Sequence, residues 1–303
     1  MNRDVLKSDG LLLLTACIWG FAFVAQRLGM NYVGPFTFNG IRFALGGLVL
    51  IPLLIAQRKS RHLEAPQPPP VSRKIIFIGN AMAGLALFLG ASFQQCGMVY
   101  TTAGNAGFIT GLYVVIVPIL GLFFKHKTNP GTWMGAAFAA IGLYFLSVTE
   151  SFTIAPGDFL VLVSAFFWAG HVLIIGWLSP KISSSRLAVT QYAGCSILSL
   201  ITASFIESIT VDGLIRAAIP IFYGGTFSVG IAYTLQVVAQ RRAHPAHAAI
   251  LLSMEAVFAA IGGAMILGEI FTGRELLGCA LMLAGMVISQ LYGFFRKGRA
   301  LVD

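Results

Sequence analysis

Ten stretches of mostly apolar residues follow one another along this 303-residue chain, near 11–30, 36–56, 75–97, 103–124, 132–149, 158–178, 187–207, 217–240, 247–270 and 275–295. Each has roughly the 20 residues that a helix needs to cross a bilayer's hydrocarbon. In lipid every backbone N–H and C=O must find its partner within protein, so such runs read as helices. The expected fold is an all-α polytopic membrane protein with ten transmembrane helices. Composition agrees, with 57% of residues hydrophobic and 10% charged, where soluble domains carry about 25% charge. Cys17, Cys96, Cys195 and Cys279 all sit inside apolar runs without CxxC spacing. They read as small reduced core residues.

The first run carries an ambiguity. Arg3 and Lys7 precede it, and Leu14–Cys17 spells "LTAC", the shape of a lipoprotein cleavage site. A lipoprotein leader would give way to a hydrophilic chain after its cysteine, whereas this one stays apolar to Met30. The run therefore reads as a retained first span.

Charge placement sets the orientation. With the N-terminus in the cytoplasm, inside segments hold sixteen lysines and arginines. Outside segments hold Arg27, Arg216 and Arg274, and Arg42 falls within a span. This asymmetry follows the positive-inside rule and puts both termini on the cytoplasmic face of an inner (plasma) membrane. The net charge of +9 then reports contact with anionic inner-leaflet lipid, not nucleic acid. The bilayer is the expected macromolecular partner.

The second half repeats the first. A shift of 143 residues lays Gly79–Leu146 over Phe222–Ser289, pairing Gly135 with Gly278, Gly142 with Gly285, and Ala106 with Ala249. A shift of 149 lays the opening helix over Phe159–Val172 and pairs Trp19 with Trp168. The expected units are 1–150 and 151–303. Five spans per unit is odd, so the two lie in opposite orientations. Inverted repeats are a common build of secondary transporters, whose site lies where the halves meet.

The segment Ala248–Ile288 contains Glu255-Ala256-Val257, then Leu267-Gly268-Glu269, then Gly278 and Gly285. It resembles the C-terminal repeat of the EamA branch of the drug/metabolite transporter superfamily. Pro118, Gly135 and Gly142 echo it in the first half, and Ile41-Arg42 matches an arginine often carried by the second helix of that family. The resemblance implies two inverted five-helix bundles around a central cavity, with helices 5 and 10 peripheral. It also implies transport, often export, of amino acids, their derivatives or other small metabolites. Two positions depart from the pattern. Ala256 replaces a proline, which predicts a straighter ninth helix, and His126 replaces a glutamate in the turn between helices 4 and 5.

The candidate substrate-binding residues are Trp19, Gln95, Asn105, Tyr113, Trp168, His171, Tyr233, Gln236 and Glu255. A carboxylate at membrane depth is costly, so Glu255 reads as a substrate-amine contact, a proton carrier, or a structural hydrogen-bond partner. Trp19 and Trp168 are paired by the repeat and lie too deep for the interfacial belt, which suits either a cavity lining or helix packing. The amides Gln94, Gln95, Asn105, Gln191, Gln236 and Gln240 either join helices or face a solute. Tyr113 and Tyr233 belong with them, and His171 reads as a buried histidine or a substrate contact. Arg42 reads first as snorkelling to the outer headgroups or ion-paired, and second as an anion contact. Pro118 is expected to kink helix 4.

The sequence holds no P-loop, nucleotide fingerprint, nucleophile elbow or dense metal-ligand spacing. No cofactor, no metal and no enzymatic activity are expected. The partners are a small-molecule substrate and lipid, with protons as a candidate coupling ion and a homodimer left open. Rival readings are an exchanger of phosphorylated metabolites or nucleotide sugars, which would want several basic residues in its cavity, and a non-transporting scaffold.

Overall fold

Helix starts are written in the sequence. Pro35, Pro156 and Pro245 each open a helix, where the missing N–H has no intrahelical partner to lose. Thr102 caps the helix that follows it by accepting from Asn105 N, and Asn129 Oδ1 accepts from Thr132 N at 2.8 Å. The result is a chain of helices: α1 (Val5–Gly29), α2 (Pro35–Ala56), α3 (Arg73–Met98), α4 (Ala103–Phe123), α5 (Pro130–Ser147), α6 (Pro156–Leu178), α7 (Ser184–Ile206), α8 (Ala218–Ala239), α9 (Pro245–Leu267) and α10 (Gly273–Arg299). All but α5 and α10 meet, by length and composition, what a membrane span needs. A short helix, Val211–Arg216, joins α7 to α8. This computed structural model describes residues 3–60, 72–126, 128–147, 155–268 and 272–299, and these contain no strand. Most of the polar 56–74 connector lies outside the described residues, as do Lys127 and Glu269.

Helicity in the first element reaches back to Arg3, ahead of the apolar run, because a helix has no reason to stop at the lipid boundary. Other departures are sharper. The break in α4 falls at Leu112, not at Pro118, where Leu112 N bonds back to Ile109 O in a tight i−3 turn. Helix α9 is not straight despite lacking the proline. It breaks at Ser253–Met254, where Ser253 Oγ donates to Ile250 O at 2.8 Å and so competes with the helical ladder. Residues 223–233 of α8 and 263–267 of α9 take the wider π turn, a geometry often found beside functional sites.

Helices α4 and α9 end alike. Lys125 and Gly268 have φ of 57° and 71°, the positive values found among the described residues, and they stand 143 residues apart. A left-handed residue at this point closes a helix C-terminus. Helices α5 and α10 pack on one another through glycines at the edge of the molecule. A Cβ on Gly142 would lie 2.6 Å from the Gly278 oxygen, and one on Gly285 would lie 2.6 Å from the Gly135 oxygen.

Polar groups join the remaining helices. Asn39 Nδ2 donates to Ala91 O at 3.0 Å, Ser196 Oγ to Gly40 O at 2.8 Å, and Gln240 Nε2 to Val172 O at 3.0 Å. At one end of the bundle, Ser8 Oγ donates to Ala239 O and His247 Nε2 lies 2.9 Å from Asp9 Oδ1. At the other end, Thr101 Oγ1 donates to Asp158 Oδ1 at 2.6 Å. There too the Glu207 carboxylate sits on the N-terminus of α2, accepting from Phe36 N and Thr37 N at 2.8 Å each and from Thr37 Oγ1 at 2.7 Å. A carboxylate in this position satisfies free amides and meets the positive end of the helix dipole. The substitution Glu207→Gln keeps the shape and loses the charge and one acceptor. It is expected to cost about 1–2 kcal/mol, read as a lower melting temperature of the purified protein.

Candidate functional site

A cavity in the helix bundle is lined by side chains from both the first and the second part of the chain. From α1 it receives Trp19, Phe23 and Gln26, spaced i, i+4, i+7 and therefore on one helical face. Helices α2 and α3 contribute Arg42 and Gln94, and α4 contributes Thr110 and Tyr113. The other half contributes Trp168, His171 and Val172 from α6, Ser228, Tyr233 and Gln236 from α8, and Leu252 and Glu255 from α9. The helix breaks matter here. Tyr113 begins the second segment of α4 and Glu255 the second segment of α9, so each interrupted helix delivers one polar side chain to the cavity at its break.

Aromatic rings form the wall. Tyr233 lies 4.5 Å from Trp19, 6.0 Å from Trp168 and 6.3 Å from His171, centroid to centroid. Phe43 and Tyr192 back it from behind at 5.9 and 6.2 Å. Trp19 Nε1 donates to the Ser228 carbonyl at 3.2 Å, a group presented by the π turn of α8. His171 Nε2 is 2.7 Å from Gln191 Oε1, and Gln94 Nε2 donates to Thr110 Oγ1 at 2.9 Å.

Seven of the nine sequence candidates line this cavity: Trp19, Tyr113, Trp168, His171, Tyr233, Gln236 and Glu255. Gln95 does not. It turns away toward the Gln26 carbonyl, because neighbours on a helix point about 100° apart and Gln94 already faces the cavity. Asn105 does not line it either. It sits in the first turn of α4, half-buried, with its backbone N held by the Thr102 cap. Gln191 acts one step behind the wall, through His171, and Gln240 ties α8 to α6.

Arg42 is the main correction. It does not snorkel. Its side chain is 1% exposed, its Nε donates to Asn39 Oδ1 at 2.9 Å, and its guanidinium lies 5.0 Å from the Phe43 ring centre and 5.5 Å from that of Phe38. Among the described residues no carboxylate pairs with it. Gln26 was also missed, since its place next to Arg27 makes it look like the end of a span.

The Tyr113 hydroxyl and the Glu255 carboxyl face each other. Four of the lining side chains carry a buried polar atom with no hydrogen-bond partner: the donors Arg42 Nη2 and Trp168 Nε1, and the acceptors Gln26 Oε1 and Gln236 Oε1. Each such group costs about 1–3 kcal/mol when left unmade. Folded proteins carry few, and a cluster aimed into one cavity marks a place where water or a ligand completes the bonding.

Comparison with known proteins gives the family. The sequence profile of the EamA-like transporter family matches residues 6–148 and again 155–290. A protein of Archaeoglobus fulgidus named as an uncharacterized transporter is 32% identical over 290 residues, covering 94% of this chain and 86% of that protein. A probable amino-acid metabolite efflux pump of Salmonella typhimurium is 25% identical, covering 95% and 96%. An inner membrane transporter of Escherichia coli K12, YedA, also named as uncharacterized, is 23% identical, covering 95% and 92%. One solved crystal structure superposes with a TM-score of 0.75 at 17% identity, over 94% of this chain and 97% of that one, and so shares the fold. With apolar helices long enough to span a bilayer and a cavity of aromatic and polar side chains between them, this chain belongs to the EamA-like transporter family of the drug/metabolite transporter superfamily.

Proposed function

We propose that the protein is a secondary carrier of the inner membrane that exports amino acids or related small metabolites by alternating access. Ten helices cross the bilayer as two inverted halves, 1–150 and 151–303, with both termini in the cytoplasm. Support for the inversion comes from contacts that map onto each other when the halves are exchanged. Gly142 against Gly278 becomes Gly285 against Gly135 under the 143-residue shift. Trp168 lies over Gly90 as Trp19 lies over Tyr233, with Gly90 and Tyr233 related by the 143-residue shift and Trp19 and Trp168 by the 149-residue shift. The left-handed caps Lys125 and Gly268 follow the same rule. A pseudo-two-fold arrangement of this kind lets the halves swap conformations and open one cavity to either side.

The observation that carries the transport reading is the set of four unpartnered polar atoms on a wall built by both parts of the chain. A scaffold has no use for unmade hydrogen bonds, and a carrier does, because its solute completes them only while bound. Amino-acid metabolites are favoured by the name of the Salmonella relative. Among the described residues Arg42 is the one Lys or Arg on the cavity wall, which argues against phosphorylated cargo. Protons are the proposed coupling ion, with the Glu255 carboxyl as the group that carries them.

Proteoliposomes test this. Counterflow against a panel of amino acids is expected for the wild type and is expected to fall by about tenfold or more in Trp19→Ala, the loss of one aromatic wall contact. An imposed pH gradient is expected to drive wild-type flux and to have no effect on Glu255→Gln. Flux indifferent to the gradient and intact in Glu255→Gln would remove the proton from the mechanism.

A further inference from the structure

Among the described residues the cavity wall holds one cation and one carboxyl, and the fold keeps them from pairing. Arg42 comes from α2 and Glu255 from α9; they are 1% and 4% exposed, and both line the wall. No ion pair joins them, although Tyr233 lies within electrostatic reach of both. Arg42 is always protonated in proteins, and here it has the Asn39 oxygen and two phenyl faces but no counter-charge, with Nη2 left unbonded. Glu255 has no cation beside it and faces only the neutral Tyr113 hydroxyl. Burying two such groups apart is expensive, and the cost is recovered only when each finds an opposite charge.

Resting on the carrier reading above, we infer that the cavity is bipolar and takes a zwitterion: Arg42 binds the carboxylate of the transported molecule, Glu255 binds its ammonium group, and Trp19 and Trp168 hold its apolar or aromatic side chain. The remaining orphans fit the same ligand. Trp168 Nε1 is a donor for a carboxylate, and Gln26 Oε1 and Gln236 Oε1 are acceptors for an ammonium. The selectivity follows from the chemistry. A molecule that lacks either charge leaves one buried ion unmatched, so amines without a carboxylate and acids without an amine are rejected. Asn39 becomes a positioning residue, since its bond to Nε leaves the guanidinium free to turn its Nη edge toward the solute.

The test compares phenylalanine and leucine with their amides and with the corresponding deaminated acids, 3-phenylpropionate and 4-methylpentanoate. Each competes for counterflow in proteoliposomes and each is scored for thermal stabilisation of the purified protein. Wild type is expected to prefer the zwitterion over both analogues by about 10- to 100-fold, the weight of one charge-assisted contact. Arg42→Gln is expected to erase the preference over the amide and keep that over the deaminated acid, and Glu255→Gln is expected to do the reverse. That crossed pattern cannot come from general damage. Should Arg42→Gln fail to fold, the Glu255→Gln arm and the three-ligand comparison on wild type decide. Equal competition by the amide or the deaminated acid overturns the inference while leaving the carrier reading in place. So does transport of some other solute with no effect of phenylalanine or leucine. If no solute moves at all, the carrier reading falls, and this inference with it.

Discussion

Tyr233→Ala is expected to be among the most damaging single substitutions in the protein. The ring is 5% exposed and stands at the centre of the aromatic wall, touching Trp19, Phe43, Trp168, His171 and Tyr192. Truncating a buried aromatic costs about 3–5 kcal/mol, because the lost contacts are joined by a cavity that the surroundings only partly fill. Here little can fill it. Trp19 is tied to Ser228 O, and the π segment 223–233 fixes the backbone. The expected result is a large fall in melting temperature together with loss of discrimination among amino-acid side chains, since the wall that grips them loses its central ring. Tyr233→Phe separates ring from hydroxyl. It is expected to keep stability within about 1 kcal/mol of wild type, as isosteric swaps usually do. If Tyr233→Ala melts like the wild type, the ring is not the keystone the distances describe.

The residues around that ring show how far the sequence could be read. Apolar length gave the helices, and the 143-residue shift pointed to the equivalences Gly142/Gly285 and Gly135/Gly278 before any contact was known. Candidates chosen as polar or aromatic side chains deep in a span converge on the cavity, because desolvation leaves them little else to face. The misses have local causes. Gln94 and Gln95 are indistinguishable by composition and differ only in which way the helix turns, a fact set by the packing of α3. Arg42 looked close enough to the outer face to reach water, and nothing in the apolar pattern says that α2 is covered there. A signal did exist in Asn39-Gly40-Ile41-Arg42, an i, i+3 pair suited to an Asn oxygen and a guanidinium. The helix breaks were misplaced for another reason. Proline marks neither break: α9 breaks without one through Ser253, and α4 breaks at Leu112, ahead of Pro118. The Glu207 latch escaped notice because its partners are backbone amides, which every sequence has.

The glycine seam between α5 and α10 makes the sharpest demand on the proposed symmetry. At both Gly142 and Gly285 a Cβ would press on a carbonyl oxygen 2.6 Å away, and the obstacle is backbone, which cannot rotate aside as a side chain does. Overfilling a packed interface costs about 1–3 kcal/mol even where side chains can adjust. Gly142→Leu and Gly285→Leu are therefore each expected to part the two helices, read as loss of monodisperse protein on extraction or a melting point lowered by many degrees. The milder Gly142→Ala and Gly285→Ala allow numbers. If exchanging the halves maps one contact onto the other, the two alanine variants must destabilise by the same amount, to within the ~0.5 kcal/mol by which independent sites normally scatter. Both lie away from the cavity wall, so side-chain preference in counterflow is expected to stay as in the wild type. A packing without two-fold character has no reason to give that equality: one alanine would be absorbed and the other would not, and the inverted-half architecture would then need another basis than these glycines.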